Sequence, residues 1–117
     1  MSSPNVLIGD PFNLHMNNFT RISVQKAHEI ITTSKNVTVV DIRDGDSFLQ
    51  GHMVQAQAVN DENIEAFVRA ADKEVPLICY CYHGNSSQQA AAYFSNQGFN
   101  QVYSIDGGWE GWKAIYG

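Results

Sequence analysis

The sequence predicts an α/β fold, with a central five-stranded, mostly parallel sheet and helices on both faces. From Phe19 onward, short β-rich runs alternate with segments of helical period, the pattern of a parallel sheet with crossover helices. The run Val37-Thr38-Val39-Val40-Asp41 is nearly continuous in apolar and β-branched residues, as strands buried on both faces are. Such sheets bind ligands beyond the carboxyl ends of their strands.

Each element has its own signal. Phe19–Ile22 reads as a short strand. Ser23 can cap a helix that presents Val24, Ala27, Ile30 and Ile31 on one face. After the Val37–Asp41 strand, Asp44–Gln50 reads as a short helix closed by Gly51. Ala56–Val59 is a weak strand. Asn60 or Asp61 then caps a helix with Ile64, Phe67, Val68 and Ala71 at i, i+3, i+4, i+7. Val75–Cys81 is the next strand. Ser86–Gln97 is a helix stopped by Gly98, which can adopt the left-handed conformation. Gln101–Ile105 is the last strand, and Trp109–Tyr116 the last helix, after Gly107-Gly108. Residues 1–17 have no clear period and contain Pro4 and Pro11. They read as a loose leader or an extension, with Met16 as an alternative start, ahead of one domain over residues 18–117.

Length and composition narrow the function. The 117 residues suit one domain with a core of its own. A net charge of -5 argues against a general nucleic-acid or anionic-membrane surface. No secretory signal or long apolar span is present, so a reduced, cytoplasmic location is expected. The two cysteines, Cys79 and Cys81, would lie ~6.6 Å apart in an extended strand with parallel side chains, a poor geometry for a disulfide.

Cys81 ends a strand and heads the loop Tyr82-His83-Gly84-Asn85-Ser86-Ser87, directly before a helix. Free N–H groups at a helix amino end carry partial positive charge. They stabilise a thiolate, the nucleophilic form of cysteine. Gly84 permits the positive φ of a tight curl, in which successive N–H groups converge into an anion-binding nest. His83, Asn85, Ser86 and Ser87 add side-chain donors at the rim. No Lys or Arg occurs between Lys73 and Lys113. A cysteine phosphatase needs an arginine six residues after its cysteine to grip phosphate, and Ser87 stands there. The shell therefore suits a small, polarisable sulfur anion.

Several stretches carry a more specific likeness. They are Val40-Asp41-Ile42-Arg43, Ser47-Phe48, Gly51-His52, Val54-Gln55-Ala56, the loop from Cys81 to Ser87, and Val102-Tyr103-Ser104-Ile105-Asp106-Gly107-Gly108 with Trp109 and Trp112. On these the chain resembles the rhodanese family over about residues 18–117. Within that family it resembles the single-domain thiosulfate sulfurtransferases of bacterial glycerol metabolism, the GlpE type. The resemblance implies the rhodanese-like three-layer fold and a ping-pong reaction that needs no metal and no cofactor. Cys81 would take the outer sulfur of thiosulfate as a persulfide, Tyr82 to Ser87 would hold the substrate, and Asp41, Arg43 and His52 would support the site. The acceptor would be cyanide, a dithiol or a thioredoxin-like protein. Met53, where many members have Ile or Val, and the second sulfur of Cys79 depart from the family pattern.

Other readings stand beside these. Cys79, inside the strand, is explained by packing, with redox switching as a secondary property. Cys79-x-Cys81-x-His83 invites a metal, but the spacing is unusual and no second ligand pair is evident. Asp41 and Arg43 form an ion pair at the strand end, or Arg43 faces the substrate mouth; the resemblance favours the pair. His52 reads as a hydrogen-bonding residue rather than a base. Trp109 and Trp112 read as core, with Trp109 near the pocket. A phosphatase of similar fold and a non-catalytic rhodanese module are the competing functions.

Overall fold

The computed structural model describes residues 18–117. The leader expected over residues 1–17 lies outside the described residues. Ten elements alternate along the chain: β1 (Thr20–Ile22), α1 (Val24–Thr33), β2 (Thr38–Asp41), α2 (Gly45–Gln50), β3 (Ala56–Ala58), α3 (Ile64–Ala70), β4 (Leu77–Tyr80), α4 (Ser86–Asn96), β5 (Val102–Ile105) and α5 (Gly108–Tyr116). The five strands form one sheet in the order β1-β5-β4-β2-β3. Every pair is parallel, so the mostly parallel sheet expected from the sequence is parallel throughout.

The alternation of side chains along a strand divides the core in two. Val39, Ile78, Tyr80 and Ile105 pack with Val24, Ala27 and Met53 on one face. Val40, Leu77, Cys79 and Val102 pack with Ala91, Phe94 and Phe99 on the other. All four residues of the central strand β4 are buried, which is why its sequence is a continuous apolar run. Because positions two apart share a face, Cys81 emerges on the Cys79 side, beneath α4.

Helix ends follow the caps. Ser23 accepts from Lys26 N–H, and Asp44 from Ser47 N–H, at the starts of α1 and α2. Such caps contribute about 1 kcal/mol each. The start of α3 differs from expectation in one respect. The regular helix begins at Ile64, not directly after Asn60 or Asp61. Asn60 Oδ1 accepts from the N–H groups of Glu62 and Asn63, while Asn63 Oδ1 accepts from Asn60 N–H. This is the reciprocal pattern of a capping box, and Asn60 O also accepts from Ile64 N–H at 2.9 Å; Asn60 therefore caps as expected, with a turn between it and the regular helix. Gly98 closes α4 at φ 102°, as expected.

Candidate active site

Strand β4 ends at Tyr80, so Cys81 is the first residue beyond it rather than its last. The chain then curls back on the cysteine. Gly84 N–H donates to Cys81 Sγ at 3.2 Å and Ser87 N–H donates at 3.3 Å. Ser87 Oγ lies 3.5 Å from the same sulfur. Ser87 sits in the first turn of α4, so one of these donors is a free helix-end N–H. Burial pushes the Cys81 thiol up. Hydrogen bonds from the Ser87 hydroxyl and from the N–H groups of Ser87, Gly84 and His83 outweigh it, and the net displacement is below the ordinary cysteine value.

The curl is held from behind by the last helix. Trp109 N–H donates to Cys81 O at 2.7 Å, and Glu110 N–H donates to Tyr82 O at 3.1 Å. The free donors at the start of α5 therefore turn the loop carbonyls outward, which leaves the loop N–H groups facing the sulfur. Two glycines make the close approach feasible. Gly84 has φ 96°, and a Cβ there would lie 3.0 Å from both Gly107 N and Ile105 O. Gly108 has φ 55°, and a Cβ there would lie 2.4 Å from Cys81 O. No L side chain fits at either position without moving the backbone.

The mouth over the sulfur is a cavity of about 200 Å³ bounded by Ile42, Arg43, Asp44, Tyr82, His83, Asn85 and Ser86. A larger groove of about 450 Å³, between β3 and α3, is lined by residues such as Thr38, Gln57, Asn63 and Phe67, with no cysteine and no titratable side chain among them. The chemistry therefore belongs to the sulfur mouth.

The supporting residues sort by geometry. Asp41 is fully buried and Arg43 nearly so. The Arg43 guanidinium donates to both Asp41 oxygens and, at 2.6 Å, to Gly51 O. It also lies 5.0 Å from the ring centres of Tyr82 and Trp109. Arg43 is thus both a structural ion-pair partner and part of the mouth's wall; the two readings of it are not exclusive. Tyr82 hydroxyl lies 2.8 Å from Ser47 Oγ, which donates to Asp44 Oδ2, so the β2–α2 turn is tied to the cysteine loop. His52 is not among the residues that line the mouth: its ring stacks on Phe48, and Nδ1 lies 2.8 Å from Phe48 O. Trp109 reaches the mouth only through Arg43 and its backbone N–H. Asn85 makes no side-chain cap bond. Ser87 is fully buried beneath the sulfur rather than at the rim.

Residues 23–115 match the model of the Rhodanese-like domain. The chain belongs to the rhodanese-like family. Among rhodanese relatives, thiosulfate sulfurtransferase GlpE of Ectopseudomonas mendocina is 48% identical over 101 residues, covering 86% of this chain and 91% of the relative. Thiosulfate sulfurtransferase GlpE of Pseudomonas aeruginosa is 46% identical over 98 residues, covering 84% and 87%. Solved structures agree on the fold. A rhodanese-like domain from Anabaena superposes with a TM-score of 0.74 at 23% identity, covering 83% of this chain and 75% of the other. A Rhodopseudomonas palustris protein described as a possible tyrosine phosphatase superposes at 0.71 with 19% identity, covering 100% and 98%. At such identities the likeness concerns the fold alone.

Sequence reasoning missed Ile42 and Asp44 at the mouth and, behind the sulfur, Ser104 and Gly108. Ser104 Oγ lies 2.8 Å from Ser87 Oγ, and Gly108 lets α5 meet the loop. Both lie in the Tyr-Ser-Ile-Asp-Gly-Gly run, and that run's specificity was the available signal.

Proposed function

We infer that the chain is a thiosulfate sulfurtransferase in which Cys81 is the nucleophile. The observation that carries the reading is what surrounds one sulfur: two backbone N–H groups donate to Cys81 Sγ, and the Ser87 hydroxyl, 3.5 Å away, can donate to it once it is ionised. They favour the thiolate, and the same cradle can hold an anionic sulfur attached to it. The Cys81 thiolate attacks the outer sulfur of thiosulfate. The S–S bond of thiosulfate breaks, sulfite departs with its electron pair, and a Cys81 persulfide anion remains. A second nucleophile then attacks the outer persulfide sulfur and regenerates the thiolate. Cyanide would leave as thiocyanate, and a thiol or thioredoxin-like carrier as its own persulfide. One hard transfer is thereby split into two displacements. Neither step consumes a proton, so His52, away from the mouth, is not needed as a base.

Tyr82 to Ser86 form the substrate wall, with backbone donors closest to the sulfur. The cytoplasm suits a cysteine that must stay reduced, and among the described residues no helix is long and apolar enough to cross a membrane. The phosphatase alternative is disfavoured by charge. Arg43 is the one guanidinium bounding the mouth, and its Nε and Nη2 are committed to Asp41 and Gly51. The test is thiocyanate formation from thiosulfate and cyanide, run beside hydrolysis of a phosphate ester. Thiocyanate without phosphate release supports the sulfurtransferase. Phosphate release alone points to the phosphatase, and neither product to a binding module.

A further inference from the structure

Ser104 is fully buried on β5. Among the described residues, the hydrogen-bond partner of its hydroxyl is Ser87 Oγ, at 2.8 Å. Ser87 Oγ in turn lies 3.5 Å from Cys81 Sγ. Three polar atoms thus form a short buried line, from β5 through the first turn of α4 to the sulfur. We propose that Ser104 is a positioning residue: its hydroxyl donates to Ser87 Oγ and so holds the Ser87 hydroxyl hydrogen on the sulfur of Cys81. The proposal rests on Cys81 being the reactive sulfur.

Counting hydrogens gives the line a direction. When Cys81 is a thiolate, two hydroxyl hydrogens meet two acceptors: Ser104 donates to Ser87, and Ser87 donates to the sulfur. When Cys81 is a thiol, its S–H can turn toward the mouth or toward Ser87 Oγ. In the first case Ser87 donates to a neutral sulfur, a weak acceptor. In the second Ser87 must donate to Ser104, and the Ser104 hydrogen loses its partner in the core. In both cases the line favours the ionised sulfur. Ser104 itself touches neither the sulfur nor the mouth.

Few charged groups compete for this effect. Arg43, Asp44, Tyr82 and His83 bound the mouth on the sulfur's open side. Cys79 on β4 and Arg21 on β1 are register neighbours of Ser104. The Arg21 guanidinium is bound to Asp106, and burial keeps Cys79 a thiol. None of these groups is altered by the substitutions below.

The experiment is the pH dependence of iodoacetamide alkylation at Cys81, located by fragmentation mass spectrometry. The proteins are the wild type, Ser87→Ala, Ser104→Ala and the double variant. Ser87→Ala should raise the midpoint by about one pH unit, the scale of one hydrogen bond to a charged acceptor. Ser104→Ala should raise it by about half as much, because the backbone donors remain. The double variant should match Ser87→Ala alone, since Ser104 acts only through Ser87. A general packing defect would instead shift the midpoint equally in both backgrounds. No shift in Ser104→Ala, or the same shift with and without Ser87, overturns the proposal. Thermal melts check folding. Should Ser104→Ala fail to fold, the pair Ser104→Thr and Ser104→Val, equal in shape, repeats the comparison with and without the hydroxyl; equal midpoints in that pair overturn it too. Alkylation needs no sulfur donor. If the wild type forms no persulfide from thiosulfate, the sulfurtransferase reading falls while the alkylation curves still decide the role of Ser104.

Discussion

Cys79 lies within β4 and Cys81 just beyond its end, two residues apart, yet their surroundings are opposite. Cys79 is fully buried, and its sulfur faces two carbonyl oxygens, Ser87 O at 3.4 Å and Tyr103 O at 3.5 Å. Cys81 faces two N–H donors and a hydroxyl that can donate to the ionised sulfur. An acceptor-lined site suits S–H and a donor-lined site suits S⁻. Burial accordingly drives the Cys79 thiol far above the ordinary range, while its neighbour is drawn below it. The same residue type is therefore filler at one position and the proposed nucleophile at the other. What differs is that the chain leaves the sheet after Tyr80 and turns its N–H groups inward.

The largest effect that could break this contrast comes from exchanging the sulfurs' roles. Cys81→Ser should abolish persulfide formation and leave the thermal melt close to wild type. Cys79→Ala should keep activity within about threefold and cost about 1 kcal/mol of stability, the scale of one lost apolar group. An active Cys81→Ser, or a dead but folded Cys79→Ala, would reverse the assignment.

Next in size is the contact that aims the loop. In Gly108→Ala the new methyl would lie 2.4 Å from Cys81 O and 2.5 Å from Tyr82 O. The backbone must shift, and the donors shift with it. Persulfide formation should slow by about a hundredfold, since misplacing a reacting group by about an ångström costs that much. Gly84→Val should act in the same direction and raise the Cys81 alkylation midpoint. Stopped-flow rates of sulfite release measure both; unchanged rates would mean that side chains alone make the site.

A change outside the sulfur's donors sharpens the comparison differently. Asp41→Asn leaves the buried Arg43 guanidinium without its counter-charge, which should cost about 3 kcal/mol in denaturant unfolding. In the folded protein the Cys81 alkylation midpoint should stay within about 0.3 pH unit, because the sulfur's hydrogen-bond partners are Gly84 and Ser87 rather than Asp41 or Arg43. A larger shift would mean that the ion pair also holds the loop.

The smallest effect concerns the mouth. Hydrogen bonds from Ser47 hold Asp44 below the usual carboxylate range, so it is ionised at neutral pH and repels a dianion. Asn also caps helices well. Asp44→Asn should therefore raise kcat/KM for thiosulfate about two- to threefold at low salt, and less at high salt. A gain that persists at high salt would not be electrostatic.

The alternation of elements, the Ser23 and Asp44 caps and the Gly98 stop were legible because each depends on neighbours in sequence. The curl around Cys81 was legible for the same reason: the cysteine, the glycine and the helix-end donors fall within seven residues. The cap at Asn60 was legible too, but the turn between it and Ile64 was not, because the reciprocal bonds of Asn60 and Asn63 set where the regular helix begins. Ser104 and Gly108 were not, because their partners lie 17 or more residues away. A buried hydroxyl that supports another hydroxyl looks, in sequence, like any serine in a strand. His52 was drawn toward the site by its motif, whereas local stacking on Phe48 holds it aside.

The two sulfurs of one molecule give the most direct measurement. Folded protein is alkylated with iodoacetamide over a range of pH, and the label at each cysteine is read from fragment masses. Cys81 should react with a midpoint clearly below that of an ordinary cysteine, about 8.5, while Cys79 stays unlabelled until the protein unfolds. A Cys81 midpoint at or above the ordinary value, or labelling of Cys79 first, would contradict the account.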